Sequence, residues 1–353
     1  SFCHWVGGMG VLVFLLAVVP VSGRNDGFTM HLLRAESPGP NVAKLVPRIR
    51  STAGILYILY IVLTVIDFLL LIVGKMPVLE AVCTAFGTAG TGGFGVKNDS
   101  MASYSPYIQN VCTVFMLLFG VNFSCYYLLI MKQVKSVYKD EELRLYVGMV
   151  LGSVLLIVIN LRGFYGTLEE TIRHAFFQVA SIVTTTGFAT TDFDLWPGFS
   201  KSILLCLMVV GACAGSTGGG IKVSRVLILL KSVKKELKQY LHPSAVEKIK
   251  MDGKIVEHEV VRSTNVFMVA YVLIFAVSVL LISLDEYDLV TNFTAVTATF
   301  NNIGPGLALV GPTGNFGFFS NFSKVVLIFD MLAGRLEIFP LLLLFSRETW
   351  KRF

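Results

Sequence analysis

Three short turns in this sequence carry residue types suited to holding a bare cation. They read Gly-Thr-Ala-Gly-Thr-Gly-Gly-Phe-Gly (87–95), Thr-Thr-Thr-Gly-Phe (184–188) and Asn-Asn-Ile-Gly-Pro-Gly (301–306). Each follows a short apolar run: Val78–Phe86, Ala175–Val183 and Leu289–Phe300. An extended turn after a half-helix leaves backbone carbonyls unpaired. In lipid that is tolerated only where the backbone is buried in protein or lines a water-filled path. Carbonyls converging on such a path can replace the hydration shell of a monovalent cation. Glycine admits the backbone angles that this requires, and threonine hydroxyls add oxygen ligands. The turns align on one glycine: Thr91-Gly92-Gly93, Thr185-Thr186-Gly187 and Asn302-Ile303-Gly304. Three turns at matched places set this reading above that of ordinary loop glycines.

Two further features stand inside apolar runs. Residues 215–220, Gly215, Ser216, Thr217, Gly218, Gly219 and Gly220, place four glycines in an uncharged run from 203 to 221. Each glycine disfavours helix by about 1 kcal/mol relative to alanine, so the run is expected to break into an unwound intramembrane loop, with Lys222 at its cytoplasmic end; close packing of small residues is the alternative. The segment is not a phosphate loop, because Ile221 separates Gly220 from Lys222. Arg335 is the second feature. A charge deep in a membrane helix marks function by default. Asp330 and Glu337 lie about 140° and 200° around the helix from it. Arg335 therefore meets a partner on another helix or points into a pore; a structural ion pair is the plainer alternative. Asp67 and Asp330 have no assigned role beyond pairing or snorkelling. Enzyme chemistry finds no support: there is no HExxH, no usable catalytic pair and no cofactor motif, and the six cysteines form no CxxC.

The elements that must position these residues follow from composition. The 353-residue chain is 54% hydrophobic and only 15% charged, against about 25% charged in a soluble domain. That composition excludes a soluble or disordered protein and predicts an all-α integral membrane fold. A span needs about 20 apolar residues. Residues 1–23, 51–73, 108–131, 145–161, 203–221, 264–284 and 325–345 qualify. The three short runs do not, and read as re-entrant half-helices. The order long helix, short helix, glycine turn, long helix recurs, an internal repetition. The predicted organisation is the inner helix of an incomplete first repeat (1–23), a cytoplasmic connector (24–50), a second repeat (51–132), a linker (133–142), a third repeat with a glycine-broken inner helix (143–232), a basic cytoplasmic loop (233–262), and a fourth repeat with the C-terminal end (263–353). Segments 24–50, 132–144, 222–262 and 347–353 hold 5, 4, 10 and 3 of the 29 basic residues. The positive-inside rule then places the glycine turns outside and the C-terminus inside. Asp252-Gly253, between Ile-Lys-Met and Lys-Ile-Val, predicts a small cytoplasmic β-hairpin. The basic balance fits cytoplasmic loops and anionic lipid, not nucleic acid.

The segments 85–95, 181–193 and 300–306, with Cys-Ala-Gly-Ser-Thr-Gly-Gly-Gly-Ile-Lys (213–222), Ala-Gly-Arg-Leu-Glu-Ile-Phe-Pro (333–340) and Trp-Val-Gly-Gly-Met-Gly (5–10), resemble the Trk/Ktr potassium transporters. The resemblance covers essentially the whole chain. It implies repeats of outer helix, pore helix, filter loop and inner helix around a pseudo-fourfold pore, with a K⁺ filter at Thr91, Gly92, Gly93, Thr185, Thr186, Gly187, Asn302, Ile303 and Gly304. It also implies a movable gate at 215–220 and Lys222, and a pore-side Arg335 resisting cation passage. A multi-pass protein of the bacterial inner membrane follows, a homodimer controlled by cytosolic nucleotide-binding subunits, with K⁺ as cargo and no cofactor in this chain. The family's first outer helix, pore helix and filter loop have no counterpart in the sequence, so the chain is expected to be N-terminally truncated and, as written, not to conduct selectively. The alternatives left open are a Na⁺-conducting or non-selective transporter of the same fold and a non-conducting truncated remnant.

Overall fold

A computed structural model describes residues 1–8, 49–242, 247–336 and 338–343. Residues 9–23 of the expected first inner helix, nearly all of the expected 24–50 connector, Glu337 and the C-terminal end from residue 344 lie outside the described residues.

Among the described residues the protein is helical apart from one two-stranded hairpin. Helix α1 spans Phe2–Gly8, α2 Ile49–Val73, α3 Val78–Ala89, α4 Pro106–Phe119, α5 Phe123–Ile130 and α6 Val134–Lys139. Helices α7 (Glu141–Asn160), α8 (Leu168–Val183), α9 (Gly198–Val210) and α10 (Val223–Leu241) follow. The last are α11 (His258–Ile282), α12 (Leu289–Phe300), α13 (Asn321–Arg335) and α14 (Ile338–Leu343).

Among the described residues, three unbroken stretches are long and apolar enough to cross a membrane: Gly54–Val73, Glu141–Asn160 and His258–Asp285. Their outer faces carry exposed Ile58, Val62 and Leu69, Leu151 and Leu155, and Val269, Leu273 and Leu280. Apolar side chains in such rows suit a hydrocarbon solvent, not water. Side-chain caps set where several helices begin. Ser105, Asp140, Thr167, Asp288 and Ser320 each accept a hydrogen bond from a backbone N–H in the first turn that follows, satisfying a donor that would otherwise be orphaned. The helices α3, α8 and α12, each of which leads into a glycine turn, pack among their neighbours. Helix α3 packs on α2, α8 on α4, α7 and α9, and α12 on α11 and α13. Each short helix is therefore buried by its own neighbours, and the turn at its end is held in the interior.

The expected hairpin forms, with β1 (Lys250–Met251) antiparallel to β2 (Lys254–Ile255). Asp252 and Gly253 have φ of 52° and 75°, the pair of left-handed residues that a type I′ turn demands.

Two expectations need correction. The uncharged run 108–131 is not one straight span: α4 and α5 meet at 87°. Gly120 ends α4, and Asn122 caps α5 by accepting the Ser124 N–H at 2.9 Å. Of the two accounts open for Asp67 and Asp330, pairing or snorkelling, burial removes snorkelling, since both are fully buried. Asp330 accepts a hydrogen bond from the Ser278 hydroxyl at 2.6 Å, whereas neither carboxylate oxygen of Asp67 has a hydrogen-bond partner among the described residues.

Candidate functional site

The three turns have one geometry. Thr91, Thr185 and Asn302 have φ of 50°, 58° and 56°, and Gly93, Gly187 and Gly304 have φ of 64°, 86° and 106°. Non-glycine residues rarely adopt positive φ, so three such residues at one aligned position are not accidental. Their backbone hydrogen bonds also repeat. Thr91, Thr185 and Asn302 each donate to the carbonyl three residues back, at 3.2, 3.1 and 3.1 Å. Gly92, Thr186 and Ile303 each donate to the carbonyl five residues back, at 2.8, 2.9 and 2.8 Å. Two donors of each turn are thus spent on the short helix behind it. Among the described residues, no hydrogen bond ends on the carbonyl oxygens of 91–93, 185–187 or 302–304. Carbonyls left without donors are ready acceptors for something else.

The turns touch in sequence order. A β-carbon added to Gly93 would stand 1.9 Å from the Thr186 carbonyl oxygen, and one added to Gly187 would stand 2.0 Å from that of Ile303. Only glycine permits so close an approach. Around them the packing is tight: Phe188 is fully buried with its ring 3.1 Å from the β-position of Gly87 on α3. Helix α1 sits on the first turn, where the His4 ring fills the β-position of Gly92.

The glycine loop lies against these turns. Helix α9 stops at Val210 and α10 starts at Val223, so the break runs over 211–222, wider than the expected 215–220. Its base is sealed: Lys222 donates its N–H to the Val210 carbonyl and Val223 to that of Ala212, both at 3.0 Å. Between these, Thr217 O accepts the Thr91 hydroxyl at 2.9 Å, and the Gly219 N–H donates to Thr185 Oγ1 at 2.7 Å. The β-position of Gly219 would meet the Asn301 carbonyl at 3.0 Å, and that of Gly218 the Thr184 carbonyl at the same distance. Residues 217–219 therefore contact all three turns. Gly215 and Ser216 do not: the Gly215 carbonyl accepts the Phe123 N–H at 3.1 Å, and the Ser216 hydroxyl bonds back to Cys213 O. That side of the loop leans on the α4–α5 bend. Gly220 has φ of 76° and packs on Gly211.

The two cations also converge on the loop. Arg335, ending α13, donates from Nη1 to Thr217 O and from Nη2 to Gly7 O, each at 2.8 Å. It does meet partners on other elements, and these two are backbone carbonyls. Lys222 is fully buried, with its ammonium bonded to the Gly218 carbonyl. Lys222 and Arg335 thus both bond to the glycine loop that touches the three turns.

Two further residues at this site were not among the candidates drawn from the sequence. Glu142, in the first turn of α7, is buried and accepts the Ala214 N–H at 2.6 Å and the Ser224 N–H at 3.1 Å from either side of the loop. An acidic residue in a first helical turn is ordinary, so nothing in the sequence set it apart. Asn122 faces Gly215, within 3.1 Å of its β-position. Its signal was a cap residue after glycine inside an apolar run.

The profile of the family described as TrkH, cation transport protein, matches residues 1–352. The chain is 39% identical to the Trk system potassium uptake protein TrkH of Salmonella typhimurium over 353 residues, which is 99% of this chain and 72% of that protein. It is 34% identical to TrkG of Escherichia coli, with the same coverage. Among solved structures, the potassium transporter TrkH from Vibrio parahaemolyticus aligns with a TM-score of 0.86 at 35% identity, over 99% of this chain and 72% of that one. The helical membrane fold, the matched turns and these relatives lead to one statement: the chain belongs to the TrkH family of cation transport proteins, a transport family and not an enzyme family.

Proposed function

We propose that this chain is a pore-forming subunit for potassium uptake in the bacterial inner membrane. The observation that carries the reading is the trio of matched turns with free carbonyls, in which Gly93 and Gly187 stand where a β-carbon would strike the carbonyl of the next turn. Thr91 to Gly93, Thr185 to Gly187 and Asn302 to Gly304 supply the filter. Carbonyl oxygens there replace the water around K⁺ without adding a net charge that would trap it. The loop at 215–220, with Lys222, lies beneath the filter as the gate, and Arg335 pins it through Thr217 while adding a fixed positive charge to the cation path. The second, third and fourth repeats occupy 51–132, 143–232 and 263–353, with 1–23 the inner helix of the first. Relatives named as members of a Trk system support assembly with other subunits: a second copy in a homodimer, and cytosolic nucleotide-binding subunits against the basic cytoplasmic face.

The test expresses the protein from its own gene in cells lacking potassium uptake, beside a Gly187→Asp variant at equal membrane abundance, and follows growth at limiting K⁺ and influx of ⁸⁶Rb⁺ and ²²Na⁺. Rescue by the parent and failure of the variant are expected. Equal rescue by both removes Gly187 from the filter, and ²²Na⁺ influx without ⁸⁶Rb⁺ influx overturns the choice of ion.

A further inference from the structure

We infer that Glu142 is a positioning residue that clasps the glycine loop shut, and that the cytoplasmic hairpin is tied to this clasp through Asp252. The inference rests on the reading of 211–222 as the gate.

One oxygen of Glu142 takes both N–H donors, Ala214 inside the loop and Ser224 just beyond it in the first turn of α10. A single carboxylate oxygen thus joins the loop to the helix that follows. The group is only 3% exposed, and the buried Lys222 ammonium lies within its electrostatic reach. Two backbone donors thus converge on one buried acceptor oxygen, and leaving both unpaired would open the join between loop and helix. Glu142 contacts none of the filter turns by hydrogen bond among the described residues. Its effect on permeation would pass entirely through the loop.

The same helix end is held from the cytoplasmic side. The Glu141 N–H donates to Asp252 Oδ1 at 3.0 Å, so the hairpin tip supplies a cap to α7. Lys231 of α10 bonds both the Glu141 carboxylate and the Lys250 carbonyl of β1. Ile249 and Met251 are buried, which seats the hairpin against the helices, while Ile255 and Lys254 on β2 stay exposed. A force on β2 is therefore delivered to Glu141, and the adjacent residue grips the loop. No long pathway is required, because one peptide unit separates the handle from the clasp.

Cys213 provides a reporter independent of ion flux. It is buried next to Ala214, while Cys112 is buried outside the loop and Cys206 is exposed. In inverted membrane vesicles holding the protein expressed from its own gene, N-ethylmaleimide labelling of each cysteine is followed by mass spectrometry, and ⁸⁶Rb⁺ influx is measured at equal abundance. Glu142→Ala should speed Cys213 labelling and raise influx about tenfold or more, with Cys112 still protected. Glu142→Asp, whose carboxylate falls one methylene short, should do the same and stands in if the alanine variant fails to accumulate. Glu142→Gln keeps an acceptor oxygen and should stay within about twofold of the parent. Asp252→Ala should raise both readouts about threefold and add nothing to Glu142→Ala.

Cys213 labelling unchanged in both the alanine and aspartate variants overturns the clasp. Equal gains at Cys112 also overturn it, since they signal general loosening. An Asp252→Ala effect that is absent, or that adds fully to Glu142→Ala, overturns the link to the hairpin. Faster Cys213 labelling with unchanged influx upholds the clasp and overturns the gate reading on which it rests.

Discussion

Gly187 and Arg335 show how single residues decide this site. A methyl group at Gly187 would lie 2.0 Å from the Ile303 carbonyl oxygen, far inside van der Waals contact, and the backbone there has φ of 86°. Backbone must move, and left-handed strain of about 1–3 kcal/mol adds to the clash. Gly187→Ala should lower ⁸⁶Rb⁺ uptake at least about tenfold without loss of membrane abundance; uptake within twofold of the parent would show that the turn can give way. Arg335 spans two carbonyls that are 2.8 Å from separate nitrogens. A lysine carries its three donors on one nitrogen and lacks the rigid fork that matches two separate acceptors, so it holds the pair less well. Leak through the closed state should rise in the order parent, Arg335→Lys, Arg335→Ala, by about tenfold overall. A lysine variant as tight as the parent would mean that charge alone suffices.

At the scale of elements, the short helices depend on how they start. Asp288 accepts both the Thr291 N–H at 3.0 Å and the Thr291 hydroxyl at 2.5 Å, beginning α12. These bonds, the hydroxyl first, hold its carboxyl below the ordinary range. A depressed carboxylate stabilises the fold above its unfolded value, near pH 4, and loses that contribution as pH falls through the lower folded value. The group is largely exposed, so its worth does not exceed the roughly 1 kcal/mol of a helix cap. Asp288→Ala should unfold in detergent a few degrees below the parent at pH 7, and the gap should narrow below pH 4. A gap that widens on acidification would contradict the assignment. The starting cap of α12 is visible in the sequence as an aspartate three residues before threonine. The 87° bend between α4 and α5 was hidden, because Gly120 and Asn122 stand within a run that is apolar on both sides and hydropathy does not record direction.

Across the whole molecule the three turns behave as one body. Gly93 presses on Thr186, Gly187 presses on Ile303, and residues 217–219 touch every turn from below. Groups that share partners do not act independently. Gly93→Ala and Gly187→Ala should therefore lose less uptake together than the product of their separate losses, because the first substitution already displaces Thr186 beside the second. Fully multiplicative losses in ⁸⁶Rb⁺ uptake would show that the turns are separable.

Composition and hydropathy alone determined that this is a helical membrane protein, because a bilayer demands long uncharged runs and the chain has them. The three turns were legible for a related reason: glycine clusters within lipid-buried sequence are tolerated only where backbone does work. Asp252-Gly253 announced its hairpin through turn chemistry that is local to two residues. Only the tertiary structure decided that Thr217, Arg335 and Gly7 share hydrogen bonds, that Glu142 joins Ala214 to Ser224, and that Asp67 is buried and not at a surface. Those contacts join residues tens to hundreds of positions apart. Helical periodicity assigns a side chain to a face of its own helix, and what that face meets is settled by how the helices pack.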